Sequence, residues 1–289
     1  AGPPPDLRPF RGASSRITSA VGDRGSSPGP RCRFSLPRLP PAPTVDPPTG
    51  DFFSRRRRRL RGVGGLGYRG VVPTDLTRLR YERSLAAEGF RRIAGVDEVG
   101  RGPLAGPVVA AAVILPPVWI REGMPPALEG LNDSKQLTPS RRERFHDQLL
   151  SDPELRCGLA VVEAEEIDRL NILRATHAAM VRALDQLTPA PDHVLVDGLG
   201  VSVITAPQTA LVSGDARSYS IAAASVLAKV VRDRLMIGHD RRWPGYGFAR
   251  HKGYPTPEHL KALAALGPCP IHRRSFTPVE SSQLELRMG

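Results

Sequence analysis

Cysteine is scarce in this chain, and its few cysteines lie far apart. Cys32, Cys157 and Cys269 are the only three among 289 residues, and no two of them form a CxxC pair. This spacing argues against a zinc site and against a disulfide framework, and it fits a reducing compartment. We therefore expect a cytoplasmic protein.

A long apolar run is also lacking. A helix that spans a membrane needs about 20 largely apolar residues. The apolar stretch at 107–118 is shorter and is broken by Pro116 and Pro117. We expect no membrane insertion.

Acidic residues are scarce in the N-terminal part of the chain but not in the rest. Residues 1–90 carry 17 arginines and 7 acids, whereas residues 91–289 carry 24 basic and 22 acidic residues. The net charge of +12 therefore arises mainly in the first part. Any nucleic-acid contact in the remainder must come from a local patch of charge.

The N-terminal part shows no helical or strand periodicity. Its first fifty residues contain 12 of the 30 prolines, and such a segment cannot bury enough apolar surface to offset the entropy of ordering it. We predict a disordered Arg/Pro-rich extension over residues 1–74. The arginine run at 55–59 fits a nucleic-acid-binding arm, an organellar transit peptide or an extension without a dedicated role, and the sequence leaves all three open.

Periodic patterns begin near Asp75. They predict a lead-in helix within 75–90, a folded domain over 91–282 and a short tail at 283–289. Because strands alternate with helices after an antiparallel-looking pair, we predict an α/β fold, a mixed sheet flanked by helices with a helical C-terminal region. The predicted strands are 92–97, 107–115, 158–163, 193–197 and 201–206, and the later helices are 139–150, 164–187, 218–236 and 257–266.

Two adjacent acids, Asp97 and Glu98, end an apolar run and precede the Gly-Arg-Gly motif at 100–102. Carboxylates beside a bare, positively charged turn suit a site that holds metal ions against a phosphodiester. The alternative is an ordinary strand followed by a solvated turn. Neighbouring strand residues point to opposite faces of a sheet, so these two acids converge only where the strand bends or ends.

Two further acids occupy comparable places. Asp197 ends the apolar strand 193–197, and Asp215 lies just before the helix at 218–236. Taken singly, each is commonly a turn residue or a helix-entry residue stabilised by the helix dipole. Together with the acids at 97 and 98 in one α/β domain, they favour a metal site.

Seven segments spread over residues 80–282 resemble the type 2 ribonucleases H, most closely bacterial ribonuclease HII. Their order matches as well as their content, which makes a chance resemblance negligible. They are Ala94-Gly-Val-Asp-Glu-Val-Gly-Arg-Gly-Pro-Leu-Ala-Gly-Pro-Val-Val-Ala-Ala, Leu131-Asn-Asp-Ser-Lys-Gln-Leu-Thr, Val196-Asp-Gly, Gly214-Asp, Ser220-Ile-Ala-Ala-Ala-Ser-Val-Leu-Ala-Lys-Val-Val-Arg-Asp, His251-Lys-Gly-Tyr-Pro-Thr and His272-Arg-Arg-Ser-Phe.

The resemblance implies a ribonuclease H-like catalytic domain at 91–282. The implied reaction is two-metal-ion cleavage of the RNA strand of RNA–DNA hybrids, including single ribonucleotides embedded in duplex DNA, which leaves 5′-phosphate and 3′-hydroxyl ends. Ribonucleotide removal and primer RNA removal in DNA replication and repair would be its uses, by a monomer. Mg²⁺ or Mn²⁺, hard ions that prefer oxygen ligands, would be held by Asp97, Glu98, Asp197 and Asp215.

The resemblance also assigns substrate contacts. The Gly100, Arg101 and Gly102 turn and Tyr254 would together sense the ribose 2′-hydroxyl, which marks RNA. Without the resemblance, Tyr254 would be read as an ordinary half-buried loop aromatic.

The predicted roles of four other polar residues are less specific. Lys135 and Lys229 are candidate phosphate contacts, although each could equally be a solvated lysine. We expect Arg232 to hold its helix surface together and His272 to be structural or to contact the backbone.

Other functional classes fit parts of the sequence. In one, an arginine-rich arm binds nucleic acid while the domain is inert, which the presence of all four acids disfavours. Integrases and resolvases of the wider superfamily have similarly spread acids but lack a Gly-Arg-Gly turn paired with a late tyrosine. The sister type, ribonuclease HIII, usually carries a folded N-terminal domain, which the proline-rich composition here disfavours.

Overall fold

A mixed five-stranded sheet with helices on both faces forms the centre of the protein. The structure is a computed structural model that describes residues 76–277 and residue 279. The predicted extension at 1–74 and tail at 283–289 lie outside the described residues. Within the described part, no helix has the length and apolar character to cross a bilayer.

The strands and helices are numbered in chain order. The strands are β1 (Ile93–Val99), β2 (Val108–Ile114), β3 (Arg156–Val162), β4 (His193–Asp197) and β5 (Gln208–Leu211). The α-helices are α1 (Arg80–Ala87), α2 (Pro117–Glu122), α3 (Pro139–Ser151), α4 (Ala164–Leu170), α5 (Ile172–Leu184), α6 (Gly214–Arg217), α7 (Tyr219–Arg242), α8 (Phe248–His251) and α9 (Pro257–Leu266). Short 3₁₀ helices occupy Leu76–Leu79 and Pro126–Leu128.

The sheet has the strand order β3-β2-β1-β4-β5. Strand β1 pairs antiparallel with β2, and β2 pairs antiparallel with β3. On its other side, β1 pairs parallel with β4, which pairs parallel with β5. The predicted mixed α/β sheet is therefore confirmed, and the carboxyl ends of three neighbouring parallel strands meet at one edge.

Each face of the sheet packs on its own helix. In β2, Val109, Ala111 and Val113 pack with α7, while alternate residues of the same strand pack with α5 on the opposite face. All seven residues of β2 are buried, as expected for a strand covered on both sides. The core thus consists of two apolar layers separated by the sheet.

Most predicted elements are confirmed to within a few residues, and β4 and α9 agree at both ends. Thr138 caps α3 by accepting a hydrogen bond from the Arg141 amide at 3.3 Å, with Pro139 at the first helical position. Helix α7 runs six residues beyond its predicted end at 236.

Two predicted elements are wrong. The single helix at 164–187 is interrupted at Asn171, which has a φ of 70° and caps α5 through its side chain; asparagine tolerates this left-handed conformation better than most residues. The strand predicted at 201–206 is a turn, and β5 follows it. The Gln208 side chain bonds the backbone of Val201 and Ile204, so these apolar residues reach the core without a strand.

Close contact between α7 and β1 depends on small residues. The first turns of helix α7 include a run of buried small side chains at 222–225. On the strand side, a Cβ added to Gly95 would lie 2.3 Å from the carbonyl carbon of Ser220 and 2.4 Å from the amide nitrogen of Ile221. Neither backbone atom can rotate away, so the glycine is required for this approach.

We predict that Gly95→Ala destabilises the fold by about 3 kcal/mol, because overpacking against backbone forces the helix off the sheet. The melting temperature should fall by roughly 6–12 °C for a domain of this size. Gly200→Ala is the matched control, since its added Cβ would meet its nearest neighbour at an ordinary 3.6 Å. Equal melting temperatures for the two variants would contradict the prediction.

Candidate metal centre and substrate cleft

Three carboxylates meet at the carboxyl edge of the parallel strands. Asp97 lies in β1, Asp197 ends β4 and Asp215 lies in the short helix α6. Each offers an oxygen, and the three oxygens all lie within 4.8 Å of one another. The parallel register of β1 and β4 pairs Val96 with Val196, so the next residue of each strand is an acid.

Backbone contacts hold these carboxylates in place. The Glu98 amide donates to Asp97 Oδ1 at 2.7 Å, and the Gly214 amide donates to Asp197 Oδ1 at 2.6 Å. Glycine at 214 leaves room for this contact, since a Cβ there would lie 3.1 Å from Asp197 Oδ1 and 2.7 Å from Ile221 Cδ1. Backbone hydrogen bonds therefore fix the orientation of two of the three carboxylates, as a precisely positioned site requires.

The crowding of negative charge alters the protonation of these acids. Burial, followed by the charges of Glu98 and Asp197, raises the pKa of Asp97 well above its ordinary value. Burial and then the Asp197 charge raise the pKa of Asp215 to about 6. Like charges disfavour ionisation in each other, and a divalent cation among them would relieve that repulsion.

Glu98 is not one of the three carboxylates in this cluster, but it lies close to it. It follows Asp97 in the continuous strand at 93–99, and after burial its charge contributes most to the raised pKa of Asp97. Its Oε1 lies 3.3 Å from Arg101 Nη1 in an ion pair. Burial raises the pKa of Glu98, an effect that Arg101 opposes and the Asp197 charge reinforces. Its role as a metal ligand stays a prediction.

The Gly-Arg-Gly turn lies beside the tyrosine predicted to act with it. A Cβ added to Gly102 would lie 3.7 Å from Tyr254 Cε1, so the bare backbone of the turn faces the aromatic ring. Tyr254 is 39% exposed, which leaves the ring accessible. Gly100 has a φ of +96°, and a Cβ there would lie 2.1 Å from Arg232 Nε. Both conditions require glycine at position 100.

The two candidate lysines have different surroundings. Burial lowers the pKa of Lys135, but the charges of Asp97, Asp133, Asp215 and Asp197 outweigh burial and leave the pKa raised. Lys135 therefore faces the carboxylate cluster. Lys229 Nζ lies 2.7 Å from Asp233 Oδ1 in a largely buried ion pair. That contact occupies Lys229, and its role at phosphate stays a prediction.

Sequence reasoning missed several residues that support the site. The nearby Asp133 carboxylate adds to the rise of the Asp215 pKa. Arg78 Nη2 donates to the Asp215 carbonyl at 2.7 Å, although Arg78 precedes the sheet in sequence. Buried Glu82 accepts hydrogen bonds from Ser218 and Ser220, which tie α1 to the start of α7. Asp133 lies within one of the seven family-like segments; Arg78 and Glu82 carried no signal beyond their helix.

Comparisons with known proteins place the chain in one family. The sequence profile described as Ribonuclease HII matches residues 94–279. Ribonuclease HII of Syntrophotalea carbinolica is 53% identical over 71% of this chain and 94% of its own length. Ribonuclease HII of Geobacillus kaustophilus is 55% identical over 70% of this chain and 74% of its own length. The crystal structure of ribonuclease H2 from Pyrococcus horikoshii superposes with a TM-score of 0.56 at 28% identity, over 69% of this chain and 100% of that one.

We predict that Asp215→Asn stabilises the metal-free protein at pH 7.5. The substitution removes a charge that the fold disfavours, as the raised pKa of Asp215 indicates. Each tenfold change in an acid's ionisation constant corresponds to about 1.4 kcal/mol, so the gain should be roughly 1–3 kcal/mol. Below the ordinary pKa of 3.8 the acid is protonated in both states, so the advantage should vanish there, grow between pH 3.8 and about 6, and be fully present above that.

Chemical unfolding with chelator present at pH 7.5 and pH 3.5 measures this difference. Asp192→Asn is the control and should lower stability at pH 7.5, because the charged Asp192 accepts hydrogen bonds from the amides of Arg91 and Arg92. A loss of stability in Asp215→Asn at pH 7.5 would contradict the electrostatic account.

Proposed function

Because the chain belongs to the ribonuclease HII family, we propose that it cleaves the RNA strand of RNA–DNA hybrids and cuts at single ribonucleotides embedded in duplex DNA. Family membership makes it a nuclease of the ribonuclease H type, hence a hydrolase. The finer activity rests on one observation, the convergence of Asp97, Asp197 and Asp215 near a glycine turn that faces Tyr254.

The donor set fits Mg²⁺ or Mn²⁺. Its three members offer only carboxylate oxygens, the ligands that hard divalent ions prefer. Bound as a pair, such ions supply activation of the attacking water and stabilisation of charge on the departing 3′-oxygen. Asp97 and Asp197 would each be a ligand of both ions, and Asp215 would be a ligand of one. Glu98 would be a ligand of the other ion, which requires its ion pair with Arg101 to open.

The remaining residues would bind and orient the substrate. Gly102 has no side chain, so a sugar can approach the turn between its backbone and the Tyr254 ring. There the ribose 2′-hydroxyl could be distinguished from hydrogen, and the ring could stack on the next sugar. Lys135 lies close to the carboxylates and would contact a substrate phosphate bound beside them. The products would carry 5′-phosphate and 3′-hydroxyl ends.

The direct test is incubation with a DNA duplex that contains one ribonucleotide. We expect one cut on the 5′ side of that ribonucleotide when Mg²⁺ or Mn²⁺ is present and none after chelation. An all-DNA duplex of the same sequence is the control. Equal cutting of both duplexes, or cutting that survives chelation, would refute the proposal.

We predict that Asp97→Asn lowers the cleavage rate by about a hundredfold or more, because the cations that Asp97 would bind lose a charged ligand. Affinity for the RNA–DNA hybrid, measured in Ca²⁺ by fluorescence anisotropy, should stay within about threefold, since the glycine turn and Tyr254 are unchanged. Asp192→Asn, just before the opposite end of β4, should keep its activity. Unaltered turnover in Asp97→Asn would refute the role of Asp97 as a metal ligand, and a parent protein that binds the hybrid without cutting it would favour the class of proteins that only bind nucleic acid.

A further inference from the structure

The segment at 271–273 lies against the loop that carries the Gly-Arg-Gly turn. Ala105 and His272 form an antiparallel bridge. The Gly106 amide donates to the Ile271 carbonyl, and the Arg273 amide donates to the Leu104 carbonyl, each at 2.8 Å. A short stretch from the end of the described chain therefore fixes the loop at 100–107.

The side chain of Arg273 holds the turn itself. Arg273 is fully buried, and its guanidinium donates to the carbonyls of Arg101 at 2.8 Å and Gly106 at 2.9 Å, and also to that of Gly100. Burial, with the nearby Arg232 charge, lowers the pKa of Arg273 to about 9, which leaves it charged at neutral pH. Buried charge is costly unless its donors are satisfied, and here the satisfying atoms belong to the turn and its loop.

The neighbouring side chain, His272, reaches in the other direction. Its Nε2 lies 3.1 Å from His259 Nε2, and His259 Nδ1 lies 2.9 Å from the Tyr254 carbonyl. A carbonyl can only accept, so His259 Nδ1 carries the proton and its Nε2 accepts from His272 Nε2–H. His272 Nδ1 then accepts from the Cys269 amide at 3.0 Å. Each of the four ring nitrogens of His259 and His272 then has a hydrogen-bond partner while both imidazoles are neutral.

The loop at 100–107 and the tyrosine turn are also joined directly. The Leu104 amide donates to the Gly253 carbonyl at 2.8 Å, which ties the loop to the tyrosine turn. Arg232 spans the same gap, donating to the carbonyls of Pro107 at 2.9 Å and Lys252 at 3.1 Å. Arg232 thus lies inside the protein and does more than hold a helix surface.

We propose that His272 and Arg273 are positioning residues that act as a clamp. Arg273 holds the turn at 100–102, His272 holds the Tyr254 turn through His259, and their adjacency in the chain sets the gap between the two. The clamp rests on the proposed function in one respect: the gap it sets would determine the preference for ribose over deoxyribose. The carboxylates lie on β1, β4 and α6, so the clamp acts on recognition and leaves metal binding alone.

The contacts of Arg273 with the turn at 100–102 are tested by comparing Arg273→Lys with Arg274→Lys, the same change at an exposed neighbour. Lysine cannot span three carbonyls, so hydrogen exchange without substrate should accelerate at 100–107 in Arg273→Lys only. Selectivity in kcat/KM for the one-ribonucleotide duplex over the all-DNA duplex should fall at least about tenfold, as expected for a misplaced contact. Mn²⁺ affinity, measured by calorimetry, should match that of the parent protein.

The contact of His272 with His259, and through it with the Tyr254 turn, is tested with His272→Leu and His272→Gln. The glutamine amide can replace the Nε2–H donor to His259, whereas leucine cannot. Exchange at 252–256 should therefore accelerate in His272→Leu and return toward the parent rate in His272→Gln, and selectivity should follow the same order. This pair keeps the proposal testable if Arg273→Lys folds poorly.

Parent-like exchange in both segments would overturn the clamp. So would a loss of Mn²⁺ affinity or protection across the sheet equal to the loss in the turns, because that pattern belongs to a generally loosened fold. If the parent protein shows no preference for the ribonucleotide duplex, the proposed function fails instead, and the exchange measurements still decide whether the clamp holds the turns.

Discussion

Parallel pairing of β1 with β4, under a helix that approaches β1 at Gly95, is the constraint from which the site follows. The pairing places Asp97 and Asp197 in successive register. The close helix brings α6, which precedes it, and hence Asp215 to the same edge. Any change that widens the gap between helix and strand would move one carboxylate away from the other two, and their oxygens would no longer share a cation.

The cluster works against the stability of the metal-free fold. Three buried or half-buried carboxylates repel one another and raise the pKa of Asp97 and Asp215. The surrounding structure holds them together through backbone donors and through Arg78, which bonds the Asp215 carbonyl. A site in which like charges are kept apart from water and close to each other is suited to a divalent cation, whose binding would return the lost stability.

Much of this could be predicted because local signals and family motifs agree. Thr138 and Pro139 marked the start of α3, and the acids at 97, 197 and 215 could be located as chain positions. The strand at 201–206 could not be excluded, since Val201 and Ile204 are buried as strand residues would be. What places them there is the Gln208 side chain, a contact that hydrophobic periodicity does not encode.

The sequence by itself determined the α/β class, the strands that carry the acids and the family, because these follow from periodicity, strand ends and ordered motifs. Only the tertiary structure decided that Glu98 pairs with Arg101 and lies outside the set of three carboxylates, since both depend on side-chain positions that periodicity does not encode. It also decided that His272 and Arg273 serve the two turns. Their partners lie 13 to 173 residues away in the chain, and such contacts arise from folding in three dimensions.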